Sequence, residues 1–164
     1  MKTDTITQSL RGHRVLAGLT DDRLGQFVAV AQPVEHPKGT VIFREGDPAA
    51  FVLFITDGNA ALELCAPAVG CRRILTAGPG ELLGWSAILG QPAYTATARA
   101  LDDLRAVKID TPTLQQIVAD DYQIGYELMR NTALTLAKRL RVARLQAADV
   151  FGKQVEEAEA TKAT

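Results

Sequence analysis

Residues 32–110 predict a mainly-β roll flanked by helices, and three observations carry that reading. Short apolar runs recur along the segment, and Gly, Pro and Asp interrupt them roughly every eight to twelve residues. Asp57-Gly58 stands between two such runs as a tight hairpin signal. On either side the apolar spacing changes to the helical period, so helices precede and follow the strands.

Residues 9–16 have room for one or two helical turns. Thr20 is suited to cap a helix whose first turn holds Asp21 and Asp22, at the end where negative charge is favourable. Leu24, Phe27, Val28 and Ala31 then share one face. Strands are expected at 33–36, 40–43, 51–56, 59–65, 72–77, 95–100 and 104–109. Pro37-Lys38-Gly39, Glu45-Gly46-Asp47-Pro48, Gly78-Pro79-Gly80 and Asp102-Asp103 supply the fixed or positive φ that turns need. The β pattern stops at Asp110-Thr111-Pro112. Thr111 reads as an N-cap there, with Pro112 in the first helical position where a missing N–H costs nothing, and a short helix runs on to Ala119.

After Pro112 there is no Pro, and after Gly125 no Gly until Gly152. Met129, Ala133, Leu136, Leu140, Ala143, Ala147 and Val150 recur with alternating spacings of four and three, a heptad-like seam on a helix of about 28 residues. A helix that long overruns a roll of this size, so the seam is expected to pair two copies as a parallel homodimer; the other reading is a face packed on its own domain. The domain plan is a helical lead (1–18), the roll (19–121), a dimerisation helix (122–151) and a tail (152–164). The tail is rich in Glu, Ala, Lys and Thr and is expected to be disordered.

The chain has 164 residues, 47% apolar and 23% charged, with a formal net charge of -1, so no overall field draws it to nucleic acid. Its longest apolar run, 49–55, is too short to span a bilayer, and Met1-Lys2-Thr3-Asp4 does not open a signal peptide. A cytoplasmic protein is expected. Lys138-Arg139-Leu140-Arg141-Val142-Ala143-Arg144 reads as a solvated helix face, and the residues after Arg144 leave no room for a DNA-reading module. Cys65 and Cys71 flank a turn without a CxxC companion or nearby His. They are expected as reduced, half-buried thiols, with a redox clip as the alternative. His13 and His36 form no cluster that would hold a metal, and no nucleophile–base arrangement is visible, so neither a metal nor an enzyme is expected.

Four segments in this order carry a resemblance: Gly39-Thr40-Val41-Ile42-Phe43-Arg44-Glu45-Gly46-Asp47, Phe54-Ile55-Thr56-Asp57-Gly58, Gly78-Pro79-Gly80-Glu81-Leu82-Leu83-Gly84-Trp85-Ser86-Ala87-Ile88-Leu89, and Tyr94-Thr95-Ala96-Thr97-Ala98-Arg99-Ala100. Over residues 16–145 the chain resembles the cyclic-nucleotide-binding domain family. The resemblance implies an eight-stranded jelly-roll with an N-terminal helix and two C-terminal helices, acting as a regulatory, ligand-sensing domain without a cofactor. Its effector would be a small molecule or a protein partner.

The ligand cassette implied by the family falls on Gly84, Trp85, Ser86, Ala87, Ile88, Tyr94, Thr95 and Ala96. There the family uses backbone N–H groups and an Arg for the ring phosphate, and a Glu for the ribose hydroxyl. Here Trp85 replaces the Glu and Tyr94 the Arg. Glu81 sits four residues too early to substitute, and Arg99 would face away from Tyr94 along an extended strand. Losing the Arg contact costs on the order of 2–5 kcal/mol and losing the Glu another 1–3, so tight cAMP or cGMP binding is not expected. Three readings of the two aromatics stay open: side chains filling a dead pocket, a site for another small ligand, or a weakened cyclic-nucleotide site.

Overall fold

In the computed structural model, which describes residues 3–68 and 70–162 and the side chains of 4–68, 70–145, 147 and 148, the strands pair as two antiparallel sheets. Three helical pieces lead in: Thr3–Arg11 (α1), a 3-10 turn at Arg14–Leu16, and Asp21–Val30 (α2). Their apolar spacing puts Ile6, Leu10, Val15, Leu16, Leu24 and Phe27 into the same core as the strands. Eight strands follow: β1 Gln32–His36, β2 Val41–Phe43, β3 Phe51–Asp57, β4 Ala60–Ala66, β5 Gly70–Ala77, β6 Leu82–Leu83, β7 Thr97–Ala100 and β8 Leu104–Asp110. One sheet has the order β1-β8-β3-β6 and the other β2-β7-β4-β5.

The central strand β3 (Phe51–Asp57) carries four consecutive buried residues, Val52, Leu53, Phe54 and Ile55, because it is covered on both faces. The Asp57-Gly58 hairpin forms as expected, with Gly58 at φ 77°. A side chain there would come within 2.7 Å of the Asp103 carbonyl, so only Gly fits. Strand β6 was not read from the sequence, since two residues give no alternation to recognise.

Three local expectations are corrected. The helix α4 (Thr111–Asp120) is preceded by Asp110 at the cap position. Thr111 instead ties the helix to the start of β3: its Oγ1 donates to the Ala49 carbonyl at 2.6 Å and its N–H to Ala50 at 2.8 Å. Strand β7 begins at Thr97, after a bend that takes in Thr95 and Ala96. Cys65 and Cys71 are not half-buried thiols: they are exposed, stand opposite each other in the β4–β5 register, and are joined by a disulfide. The β4–β5 register places the two Cβ atoms on one face of the hairpin, a relation that counting cysteines does not reveal.

The last helix, α5 (Tyr122–Lys162), has 41 residues and runs through the segment 152–162 that composition had set apart as a tail. Gly152 costs a helix roughly 1 kcal/mol, and the Ala, Glu and Lys that follow are among the best helix formers. Two compact units divide the chain, one ending at Asn131 and the other beginning at Thr132. In the first, the lead and the opening of α5 belong to the roll: Ile124 and Leu128 enter its core, and Asn131 Nδ2 donates to the Val15 and Ala17 carbonyls at 3.2 and 2.7 Å. Met129 is 45% exposed. In the second unit Leu136 and Leu140 are 38% and 52% exposed, and Ala133, Ala143 and Ala147 are exposed too. Val150 lies outside the described side chains. Among the described residues no helix is long and apolar enough to cross a membrane.

Candidate ligand site at the cassette

The cassette starts where β6 ends. Gly84 takes φ 89°, a conformation that favours Gly, and a Cβ there would meet the Phe51 carbonyl at 2.7 Å and Tyr94 Cε1 at 3.4 Å. The turn therefore packs directly on β3. A four-residue helix, Trp85–Ile88 (α3), follows with Ser86, Ala87 and Ile88 buried. Trp85 is half-buried against the same core.

Residue 94 occupies the interior. Tyr94 is 3% exposed and stacks on Phe43, with ring centroids 3.8 Å apart and planes within 16°. Phe51 meets both rings edge-on, at 5.9 Å from Tyr94 and 6.2 Å from Phe43. The Tyr94 hydroxyl donates to the Phe51 carbonyl at 2.8 Å and accepts the Phe51 N–H at 3.1 Å. Burial pushes its phenol above the ordinary range, although the hydrogen bond to Phe51 pulls the other way. Both hydrogen-bonding roles of the hydroxyl are thus filled by backbone, and its ring by aromatic contact.

The surrounding loops are held to this residue. The Gly46 N–H donates to the Tyr94 carbonyl, and the Tyr94 N–H to the Asp47 carbonyl, each at 2.9 Å. Asp47 in turn accepts the Arg44 N–H at 2.8 Å. Thr97 is buried, and its Oγ1 accepts the Glu45 N–H at 3.1 Å. The Glu-Gly-Asp turn and the cassette exit therefore form one hydrogen-bonded block.

The structure brings Gly84 against Tyr94, with Trp85, Ser86, Ala87 and Ile88 following directly in α3, and Ala87 and Ile88 face α4 rather than Tyr94. Thr95 is exposed in the bend and Ala96 is half-buried. Arg99 does not substitute for a phosphate-binding Arg, for a reason other than strand parity: its Nε donates to Glu63 at 3.2 Å and its Nη1 to the Gly39 carbonyl at 3.2 Å. Phe43 and Phe51 were read only as strand residues, yet they form the aromatic walls around Tyr94. An aromatic just before the Glu-Gly-Asp turn and another at the head of β3 were the available signal. Behind α3, on the side of α4 and α5, lies an apolar hollow of about 170 Å³ lined by Ala87, Ile88, Leu114, Gln115, Val118, Ala119 and Leu128.

Comparison with known proteins agrees with this geometry. The family model described as "Cyclic nucleotide-binding domain" matches residues 33–121. A CRP-like cAMP-activated global transcriptional regulator of Mycobacterium tuberculosis is 29% identical over 138 residues, 84% of this chain and 59% of that one. The chain thus spans about three-fifths of that relative's length. Among solved structures, a cyclic nucleotide-binding domain from Methylobacillus flagellatus superposes with a TM-score of 0.77 at 17% identity, covering 88% of this chain and 83% of that one. The regulatory subunit of a cAMP-independent protein kinase A from Trypanosoma brucei superposes with a TM-score of 0.69 at 17% identity, covering 80% and 47%. With its two sheets, its cassette turn and the family match across the strands, this chain belongs to the cyclic nucleotide-binding domain family.

Proposed function

We propose that the chain is a regulatory, non-catalytic domain whose cassette no longer takes cAMP or cGMP by the family's usual contacts, and which signals through pairing of its last helix. The observation that carries the first half is Tyr94: its ring is buried between Phe43 and Gly84, and its hydroxyl is satisfied from both sides by Phe51. An anionic phosphate placed there would have to expel a satisfied aromatic side chain, and neither Tyr94 nor Arg99, which is held by Glu63 and Gly39, offers it a cation. That a fold neighbour is described as cAMP-independent is in keeping with a roll that regulates without the nucleotide.

Calorimetry tests this reading. Wild type should give little heat with cAMP, whereas Trp85→Glu combined with Tyr94→Arg restores an acceptor for the ribose hydroxyl and a cation for the phosphate, and should bind measurably. Each single change should give much less, because both contacts act on one rigid ligand. Tight binding by wild type would overturn the proposal.

The second half rests on the exposed seam of α5. Leu136 and Leu140 stand in solvent at heptad spacing, the arrangement of a helix that pairs with a second copy. Sedimentation at micromolar concentration should show a dimer that Leu136→Asp with Leu140→Asp converts to monomer. A wild-type monomer unaffected by these changes would refute pairing.

A further inference from the structure

Cys65 and Cys71 had no metal-like motif in sequence, but the β4–β5 register supplies them with a third donor. Glu63 lies two residues before Cys65 on the same strand, opposite Arg73, and so shares the face on which the disulfide sits. One carboxylate oxygen of Glu63 and the two Sγ atoms lie within 4.8 Å of one another. Both cysteines are exposed, while Glu63 is half-buried and receives Arg99 Nε at 3.2 Å. We propose that the reduced hairpin is a binding site for a thiophilic divalent cation of the zinc and cadmium class, with Cys65, Cys71 and Glu63 as ligands, and that the disulfide is its locked, metal-free form.

The donor set decides the metal. Two thiolates and one carboxylate suit a soft or borderline ion and discriminate against magnesium and calcium, which prefer oxygen alone. In a tetrahedral site with metal–sulfur and metal–oxygen bonds of ordinary length the donor atoms stand roughly 3.3–3.8 Å apart, a separation the three groups reach by side-chain rotation once the sulfurs part. Two strands in fixed register hold the donors in place, and exposure leaves a fourth position to water.

Conversion between the forms balances with a dithiol as the named reductant. Its thiolate attacks one exposed Sγ, the Cys65–Cys71 bond breaks, and a mixed disulfide forms. The reductant's second thiol then closes its own disulfide, so two electrons pass to the hairpin and two protons complete its thiols. Metal capture by the pair releases those two protons. Coordination also draws Glu63 away from Arg99, a residue of β7, the strand that leaves the cassette. Metal occupancy is thereby linked to the strand that follows Tyr94.

Cadmium titration of the full chain, followed by thiolate-to-metal absorbance with chelator competition, tests the site. Protein reduced by a phosphine should bind one equivalent per chain, and the disulfide form none. Cys71→Ser should abolish the absorbance, while Glu63→Gln should keep it but weaken binding by at least about tenfold. The proposal fails if the reduced protein shows no absorbance, if one cadmium is shared between two chains, or if Glu63→Gln binds as tightly as wild type.

Discussion

At the cassette, Tyr94 is 3% exposed and surrounded by rings and backbone; on the β4–β5 hairpin, Leu64 and Ile74 are 46% and 51% exposed and a covalent bond joins the strands near the turn. Both are loops of one roll, but they are secured by different physics. Buried aromatic area and satisfied hydrogen bonds hold the cassette, so its geometry survives without a ligand. The hairpin reaches beyond the core, where a two-stranded ribbon is marginal by itself, and the cross-link limits its unfolded freedom. A region that is buried and hydrogen-bonded can stay rigid by packing; a region that never packed needs a bond.

Removing the packing should have the largest effect. Tyr94→Ala is expected to cost about 3–5 kcal/mol in guanidinium unfolding, and Tyr94→Phe about 1–2, because the ring is then kept and the two Phe51 backbone groups lose their partner. A cost below about 1 kcal/mol for Tyr94→Ala would break the comparison.

Acid tests the buried side next. His13 is 1% exposed, lies edge-on to Phe54 at 5.0 Å, and burial lowers its pKa from 6.5 to about 4. The folded chain therefore keeps this imidazole neutral in a range where the unfolded chain protonates it. Its contribution is complete above pH 6.5 and declines as pH falls towards 4, by roughly 3 kcal/mol in total. His13→Leu should flatten most of that slope in thermal melts, leaving the smaller part due to His36, whose pKa burial also lowers. An unchanged slope would show that acid enters elsewhere.

The hairpin should respond least. Reducing Cys65–Cys71, or replacing both by Ser, should cost about 2 kcal/mol through the entropy of a short closed loop. The Tyr94 environment should be untouched, which near-ultraviolet dichroism can check. A loss as large as that of Tyr94→Ala would mean that the hairpin is integral to the core.

Seven of the eight strands were legible because short apolar runs and Gly or Asp turns are local signals, as at Asp57-Gly58. The cassette was placed by its glycine and by what surrounds it, and Trp85 and Tyr94 were seen as replacements. What those replacements do was not legible. Stacking on Phe43 joins residues 51 positions apart, and the bond to Phe51 joins residues 43 apart. The cap of α4 moved by one residue because Thr111 found a tertiary partner in Ala49, and a local rule cannot foresee that competition. The disulfide was misjudged because an assumption about compartment outweighed the hairpin register.

Strand β8 is inserted between β1 and β3, and its partners in β1 lie 68 to 76 residues earlier in the chain. During synthesis, then, the first sheet has no centre until residue 104 has emerged. Local pairs such as β4–β5 can form early, whereas β1 and the free edge of β3 must wait with open hydrogen-bonding groups. A nascent chain that stalls before Leu104 presents the apolar strand Val52–Ile55 to its neighbours, so the time taken to make a few dozen residues sets the window in which this domain is open to aggregation.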